Sequence, residues 1–183
     1  MASGVLVFGE VADGKLNPVT AELIAAGTRL GGTVTCVLPG SGVEGLAQDG
    51  VAAGANKVIV VDDAILAEYQ GDAYLPVAER VAKEVDPSII LMGQTMIGRD
   101  LAPRLAQRLG TAVAMDCVAL SASGDKLLAE RPAYGGSARA RYSINATPQI
   151  ATVRPKSQEP LAPDASRSGE IVKQAAGVDA SAI

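Results

Sequence analysis

The chain has 183 residues, enough for one domain with a sizeable core, and 48% of them are apolar. Its formal charge of −4 excludes the Lys/Arg-rich surface on which nucleic-acid backbone binding rests, and its apolar runs fall far short of the roughly 20 residues of a membrane span. The absence of histidine removes the usual general base, the Ser–His and Cys–His pairings and His-dependent zinc sites; with no paired carboxylates standing out, catalysis by the chain alone is not expected.

With one Phe, no Trp and four Tyr, the core must be built from Val, Leu, Ile and Ala, as in a parallel sheet covered by Ala-rich helices. Cys36 lies in a strand pattern and Cys117 follows Met115-Asp116, so no metal-ligand or CxxC spacing exists, and both are read as buried, reduced thiols. The residues after Met1 form a strand pattern rather than a signal peptide, and a cytoplasmic location is expected.

Val5–Phe8 reads as a buried strand. Asn17-Pro18 supplies an N-cap with proline at the first helical position; Val19, Leu23, Ile24, Gly27 and Leu30 follow at helical spacing, and Gly31-Gly32 ends the helix. Thr33–Leu38 is a second strand, a weaker helix covers about Val43–Val51, and Lys57–Asp62 is a third strand. Asp72 is expected to cap the next helix, with Tyr74, Val77, Ala78, Val81, Ala82 and Val85 as its apolar stripe and Pro76 in its first turn. Ser88–Met92 is the fourth strand, and the basic helix after it carries Leu101, Leu105 and Leu109. Four alternations of strand and helix predict an α/β fold with a doubly wound, mainly parallel sheet. After Gly110 the pattern changes to strands at Ala112–Leu120, Lys126–Arg131, Ser137–Ile144 and Gln149–Val153, expected as an extra strand and antiparallel additions at the sheet edge. Residues 1–154 therefore form the predicted domain, and 155–183, rich in Pro, Ser and charge, a surface segment or linker. Asn145-Ala-Thr147 matches a glycosylation sequon and is read as incidental.

Two places attract a functional reading. In the loop at 93–100, Gly93 and Gly98 allow close backbone approach, Thr95 offers a hydroxyl, and Arg99 with the helix amides could meet a phosphate. Against this, Asp100 could itself cap the helix, with Pro103 in the first turn, and could pair with Arg104; this structural reading is preferred. In Arg131-Pro-Ala-Tyr-Gly-Gly136, adjacent glycines beside Tyr134, with Arg139 and Arg141 following, would line a cleft toward a flavin or partner, or else form a hairpin turn on a charged edge strand. Neither loop matches a Walker A or a GxGxxG pattern.

Residues 93–117, Val5-Leu-Val-Phe-Gly-Glu10, and Arg131–Gly136 leading to Pro148–Pro155 together resemble the amino-terminal domain of electron transfer flavoprotein α subunits, over nearly the whole chain. The resemblance implies an adenine-nucleotide-α-hydrolase-like fold and a scaffold that docks the β subunit and supports the FAD-binding domain of the α subunit. It also implies FAD in the intact complex, none held tightly by this chain alone, and electron flow from acyl-CoA dehydrogenase-type donors to a quinone-linked or other acceptor. In that family the α copy of this domain generally holds no nucleotide of its own, and the FAD signature of the second half is absent here. A stand-alone nucleotide-binding domain of the universal-stress type is the alternative, although its Gly-x2-Gly-x9-Gly-Ser/Thr arrangement is not evident; an ATP-pyrophosphatase lacks its Ser-Gly-Gly-x-Asp-Ser loop.

Overall fold

A computed structural model describes residues 4–179. Seven parallel strands form the central sheet: β1 (Val5–Phe8), β4 (Val34–Gly40), β5 (Lys57–Asp62), β6 (Ile89–Gly93), β7 (Val113–Cys117), β11 (Gln149–Val153) and β12 (Glu170–Gln174). Their order across the sheet is β12-β5-β4-β1-β6-β11-β7. Alternation along β1 explains the two cores: Val5 and Val7 point into one, Leu6 and Phe8 into the other. Helices α1 (Pro18–Arg29) and α2 (Ala47–Ala52) cover the first face through Leu23, Ile24 and Val51. Helices α3 (Gly71–Val85) and α4 (Met96–Arg108) cover the second through Val77, Val81, Leu101 and Leu105. The doubly wound α/β reading is what the structure has.

The expected start of α1 holds: Asn17 Oδ1 accepts from the Val19 amide at 3.2 Å, with Pro18 at the helix start. Its Gly27 lets helix and sheet approach closely, since a Cβ there would lie 3.1–3.2 Å from Val34 and Val5 methyl carbons. Two helix starts differ from expectation. α3 begins at Gly71 rather than after an Asp72 cap, and α4 begins at Met96 rather than after an Asp100 cap. Pro76 and Pro103 consequently sit inside their helices, each removing one intrahelical hydrogen bond that the buried stripe of its helix outweighs.

After α4 the chain departs from the single strand expected over 112–120. An irregularity in the β7–β11 pairing coincides with Asp116, whose φ is 62°, and after Cys117 the chain leaves the central sheet and continues as β8 (Ala119–Ser123) in a second sheet with β9 (Lys126–Ala133) and β10 (Ala138–Ser143), antiparallel in the order β10-β9-β8. Leu127 and Ala129 of β9 bury into the α1 side of the core. Gln149–Val153 is not an antiparallel addition. As β11 it slots in parallel between β6 and β7, in register Ile150↔Ile90 and Ile150↔Val113. A small hairpin of β2 (Val11–Ala12) and β3 (Lys15–Leu16) closes over Asp13-Gly14, whose φ values of 52° and 69° suit a tight two-residue turn.

The stretch after 154 is tied to the domain. The amides of Lys156 and Gln158 donate to the buried Glu22 carboxylate at 2.9 and 3.3 Å, Arg167 Nη1 reaches the Ala52 carbonyl at 2.6 Å, and β12 then pairs with β5 as an edge strand. The sheet thus extends past the boundary expected at 154. Among the described residues no helix is long and apolar enough to cross a membrane, and no cluster of His, Cys, Asp and Glu could hold a metal.

Candidate functional site

Strand order reverses at β1: the chain builds outward to β4 and β5, then returns to place β6 on β1's other side. Loops leaving β1 and β6 therefore diverge at their carboxyl ends, the place where open α/β sheets receive ligands. Gly9 and Glu10 leave β1 there, and Gly93, Gln94 and Thr95 leave β6.

Side chains from this same domain fill that divergence. Thr95 caps α4, its hydroxyl oxygen accepting from the Gly98 amide at 3.1 Å while its own proton is donated to Glu10 Oε1 at 2.7 Å. Glu10 is buried, and its backbone is bracketed by Thr20, whose hydroxyl accepts from the Glu10 amide at 2.9 Å and donates to the Glu10 carbonyl at 3.1 Å. Burial raises the Glu10 carboxyl above the usual carboxylate range, against the lowering pull of the Thr95 hydroxyl. The glycines have a packing reason. A Cβ on Gly98 would lie 1.9 Å from the Gly93 carbonyl oxygen, and one on Gly93 would meet Glu10 Oε1 and the Thr95 methyl at 3.1 Å. Thr152 extends the network, donating to Gln94 Oε1 and accepting from the Asp116 amide at 2.9 Å.

Gly93, Thr95 and Gly98 of the anticipated phosphate loop are thus brought together, around a carboxylate rather than an opening for an anion. Arg99 points outward, exposed. Asp100, expected as the cap, instead accepts from the Tyr69 hydroxyl at 2.7 Å and pairs with Arg104 at 3.2 Å. The cavity nearest this crevice, about 220 Å³, is bordered by Glu10, Asp13 and glycines, and so offers little to a phosphate.

Tyr134, Arg139 and Arg141 lie on the antiparallel sheet. Tyr134 stands 88% exposed at the β9–β10 turn, with Tyr134, Gly135 and Gly136 all at positive φ. Arg139 and Arg141 share one face of β10, opposite Pro132 and Glu130, and Arg141 Nε donates to Glu130 Oε1 at 2.8 Å. Arg131 is opposite Ala140, on the other face. Both cysteines are free and buried, as expected, and burial pushes the Cys36 thiol up to about 12 and the Cys117 thiol up to about 11.

Compared with protein-family descriptions, residues 5–179 match the electron transfer flavoprotein domain. The chain belongs to the electron transfer flavoprotein family. It is 39% identical to the electron transfer flavoprotein subunit alpha of Bacillus subtilis (strain 168), over 93% of this chain and 53% of that protein. With the subunit alpha of Thermoanaerobacterium thermosaccharolyticum it shares 38% identity over 98% of this chain and 56% of that protein. With Protein FixB of Clostridium saccharobutylicum it shares 44% over 83% and 47%, respectively. The chain spans about half the length of the curated relatives it matches.

Within this electron transfer flavoprotein domain, sequence reasoning missed Glu10, Thr20 and Asp116. Glu10 followed the first strand and was visible as its carboxyl-end residue, but its pairing with Thr95 spans 85 positions and has no local signal. Asp116 pairs with Arg154 through two hydrogen bonds, Nε–Oδ1 at 2.9 Å and Nη2–Oδ2 at 2.7 Å. That pairing holds the Asp116 carboxyl below its usual range, helped by the charges of Arg154, Arg131 and Arg99.

Proposed function

We propose that this chain is the amino-terminal scaffold and subunit-docking domain of an electron transfer flavoprotein α subunit. In the intact complex, FAD held mainly by the other half of the α subunit accepts electrons from acyl-CoA dehydrogenase-type donors. It passes them to a quinone-linked or other acceptor. The segment after 154 leads toward that FAD-binding half, and the β subunit is the docking partner. The names and lengths of the relatives support this division, since they are α subunits about twice the span matched here.

One observation carries the scaffold reading. The crevice at the strand-order reversal is closed by the Glu10–Thr95 hydrogen bond, and the Gly98 amide is already spent on the Thr95 hydroxyl. These residues do not fit the pyrophosphate of a dinucleotide, which needs free helix amides and no buried carboxylate in front of them. The same geometry weighs against a stand-alone nucleotide-binding domain using this crevice.

For docking, the outer face of the antiparallel sheet supplies Arg139 and Arg141, both exposed, near the exposed Tyr134. The test is co-expression with a β subunit of the same family and measurement of complex formation by affinity capture and gel filtration. Arg139→Glu combined with Arg141→Glu is expected to weaken association by tenfold or more, on the order of the several kcal/mol that like-charge juxtaposition costs. Unchanged affinity would show this face to be a solvated edge and remove it from the interface.

A further inference from the structure

Arg131 is half-buried at the end of β9, yet its guanidinium makes no hydrogen bond or ion pair among the described residues. Among the described residues no fully buried side-chain nitrogen or oxygen lacks a partner, so the Arg131 donors open onto space rather than into packed core. Arg131 stands between two cavities, one of about 480 Å³ walled by Val113, Met115, Tyr142 and Ile144, and one of about 410 Å³ whose wall also contains Arg154, Tyr134, Gly135 and Gly136; only the second brings a second guanidinium beside it. Arg154 is fixed at the rim by its two-bond pairing with Asp116, which orients the guanidinium plane and leaves its remaining N–H groups for another acceptor. Arg99 adds its charge from the start of α4, close enough to influence the same Asp116. On a chain of net charge −4, three arginines around one carboxylate make this corner locally positive.

The turn beside it is held under strain. Tyr134 adopts a φ of 51°, a conformation that non-glycine residues enter at a cost, and the result is a ring left 88% exposed at the cavity edge. Arginine pairs with phosphate through forked hydrogen bonds, and an exposed tyrosine ring offers a face for a planar group. A cavity of this size lies within the range that accepts small ligands.

We propose that this cavity is a binding site for a phosphate-bearing aromatic ligand of the nucleoside-diphosphate class, its phosphates held by Arg131 and Arg154 and its ring laid on Tyr134. The site lies at the carboxyl ends of β7 and β11, apart from the closed crevice between β1 and β6. Arg131 is on the opposite face of β9–β10 from Arg139 and Arg141, while Tyr134 at the turn borders both surfaces. Variants of Arg131 and Arg154 therefore test this site separately from subunit docking.

Isothermal titration of the chain with inorganic pyrophosphate and with ADP, at low ionic strength and without magnesium, tests the assignment. Both ligands are expected to bind saturably at one site, with ADP tighter by about threefold to tenfold, the worth of one aromatic stacking contact. Arg154→Gln is expected to weaken both by about tenfold, and Arg131→Gln by at least as much. Tyr134→Ala should abolish the preference for ADP and leave pyrophosphate affinity unchanged. Since Arg131 is half-buried, thermal melts accompany each variant; if Arg131→Gln does not fold, Arg154→Gln and Tyr134→Ala, both at exposed positions, decide the matter. Absence of saturable binding by both ligands overturns the proposal, as does binding unchanged by Arg154→Gln. Equal affinity for ADP and pyrophosphate overturns the nucleotide assignment.

Discussion

Thr95 shows how one side chain decides what a loop can do. Its hydroxyl has one proton and takes one amide, and both are used, the proton on Glu10 and the lone pair on Gly98. The same sequence, with glycines at 93 and 98 and Arg99 following, leaves a phosphate loop and a structural helix start both open, and the partner of Thr95 distinguishes their geometries. Thr95→Ala is expected to cost about 0.5–2 kcal/mol for the cap, and toward the upper end because the buried Glu10 carboxylate also loses its donor. Asp100→Ala, by contrast, removes a half-exposed pair with Arg104 and the Tyr69 bond, and is expected to cost about 1 kcal/mol or less. Urea denaturation of the two variants ranks them; a larger loss for Asp100→Ala would return the cap to the position first expected from sequence.

At the scale of elements, what could be read in advance was what repeats locally. Helix α1 announces itself through Asn17-Pro18 and an apolar stripe, and β1, β4, β5 and β6 are continuous apolar runs between turn residues. Pro76 and Pro103 point to later starts for α3 and α4 than the structure has, because packing outweighs proline there: Tyr74 and Leu101 bury against the sheet whether or not one backbone bond is lost. The parallel placement of β11 was not legible, since Gln149–Val153 follows three antiparallel strands and nothing local reveals that its partners are Ile89–Gly93 and Val113–Cys117. For the same reason β12 looked like linker. Its composition is polar because it is an edge strand, with Glu170 and Lys173 facing solvent. It is nevertheless anchored: Arg80 donates to Gln174 Oε1 at 2.6 Å and to the Ala175 carbonyl at 2.8 Å, and Ala176 is buried in the core beneath α3. Ending the chain at Gly169 is expected to cost more than about 2 kcal/mol, a fall in Tm of roughly 4–8 °C for a domain of this size. A truncated chain melting with the intact one would make this segment the dispensable tail that its composition suggested.

For the whole molecule, the two arrangements at the carboxyl edge of the sheet lead to one expectation about colour. A flavin dinucleotide retained through purification needs a pyrophosphate cradle and an enclosed slot for its ring in the same place. The crevice between β1 and β6 has a carboxylate where the cradle would be, and beside it a cavity of only about 220 Å³. The arginine-lined cavity near Tyr134 has charge but is open, and the ring of Tyr134 is 88% exposed, so it offers one stacking face and no enclosure. Charge without enclosure gives association that salt and dilution reverse. The chain purified alone and passed through a desalting column is therefore expected to be colourless, with far less than one flavin per chain by visible absorbance. If the column returned a yellow protein carrying FAD near one per chain, the redox site would lie within these residues, and the division between scaffold and flavin-binding half would have to be redrawn.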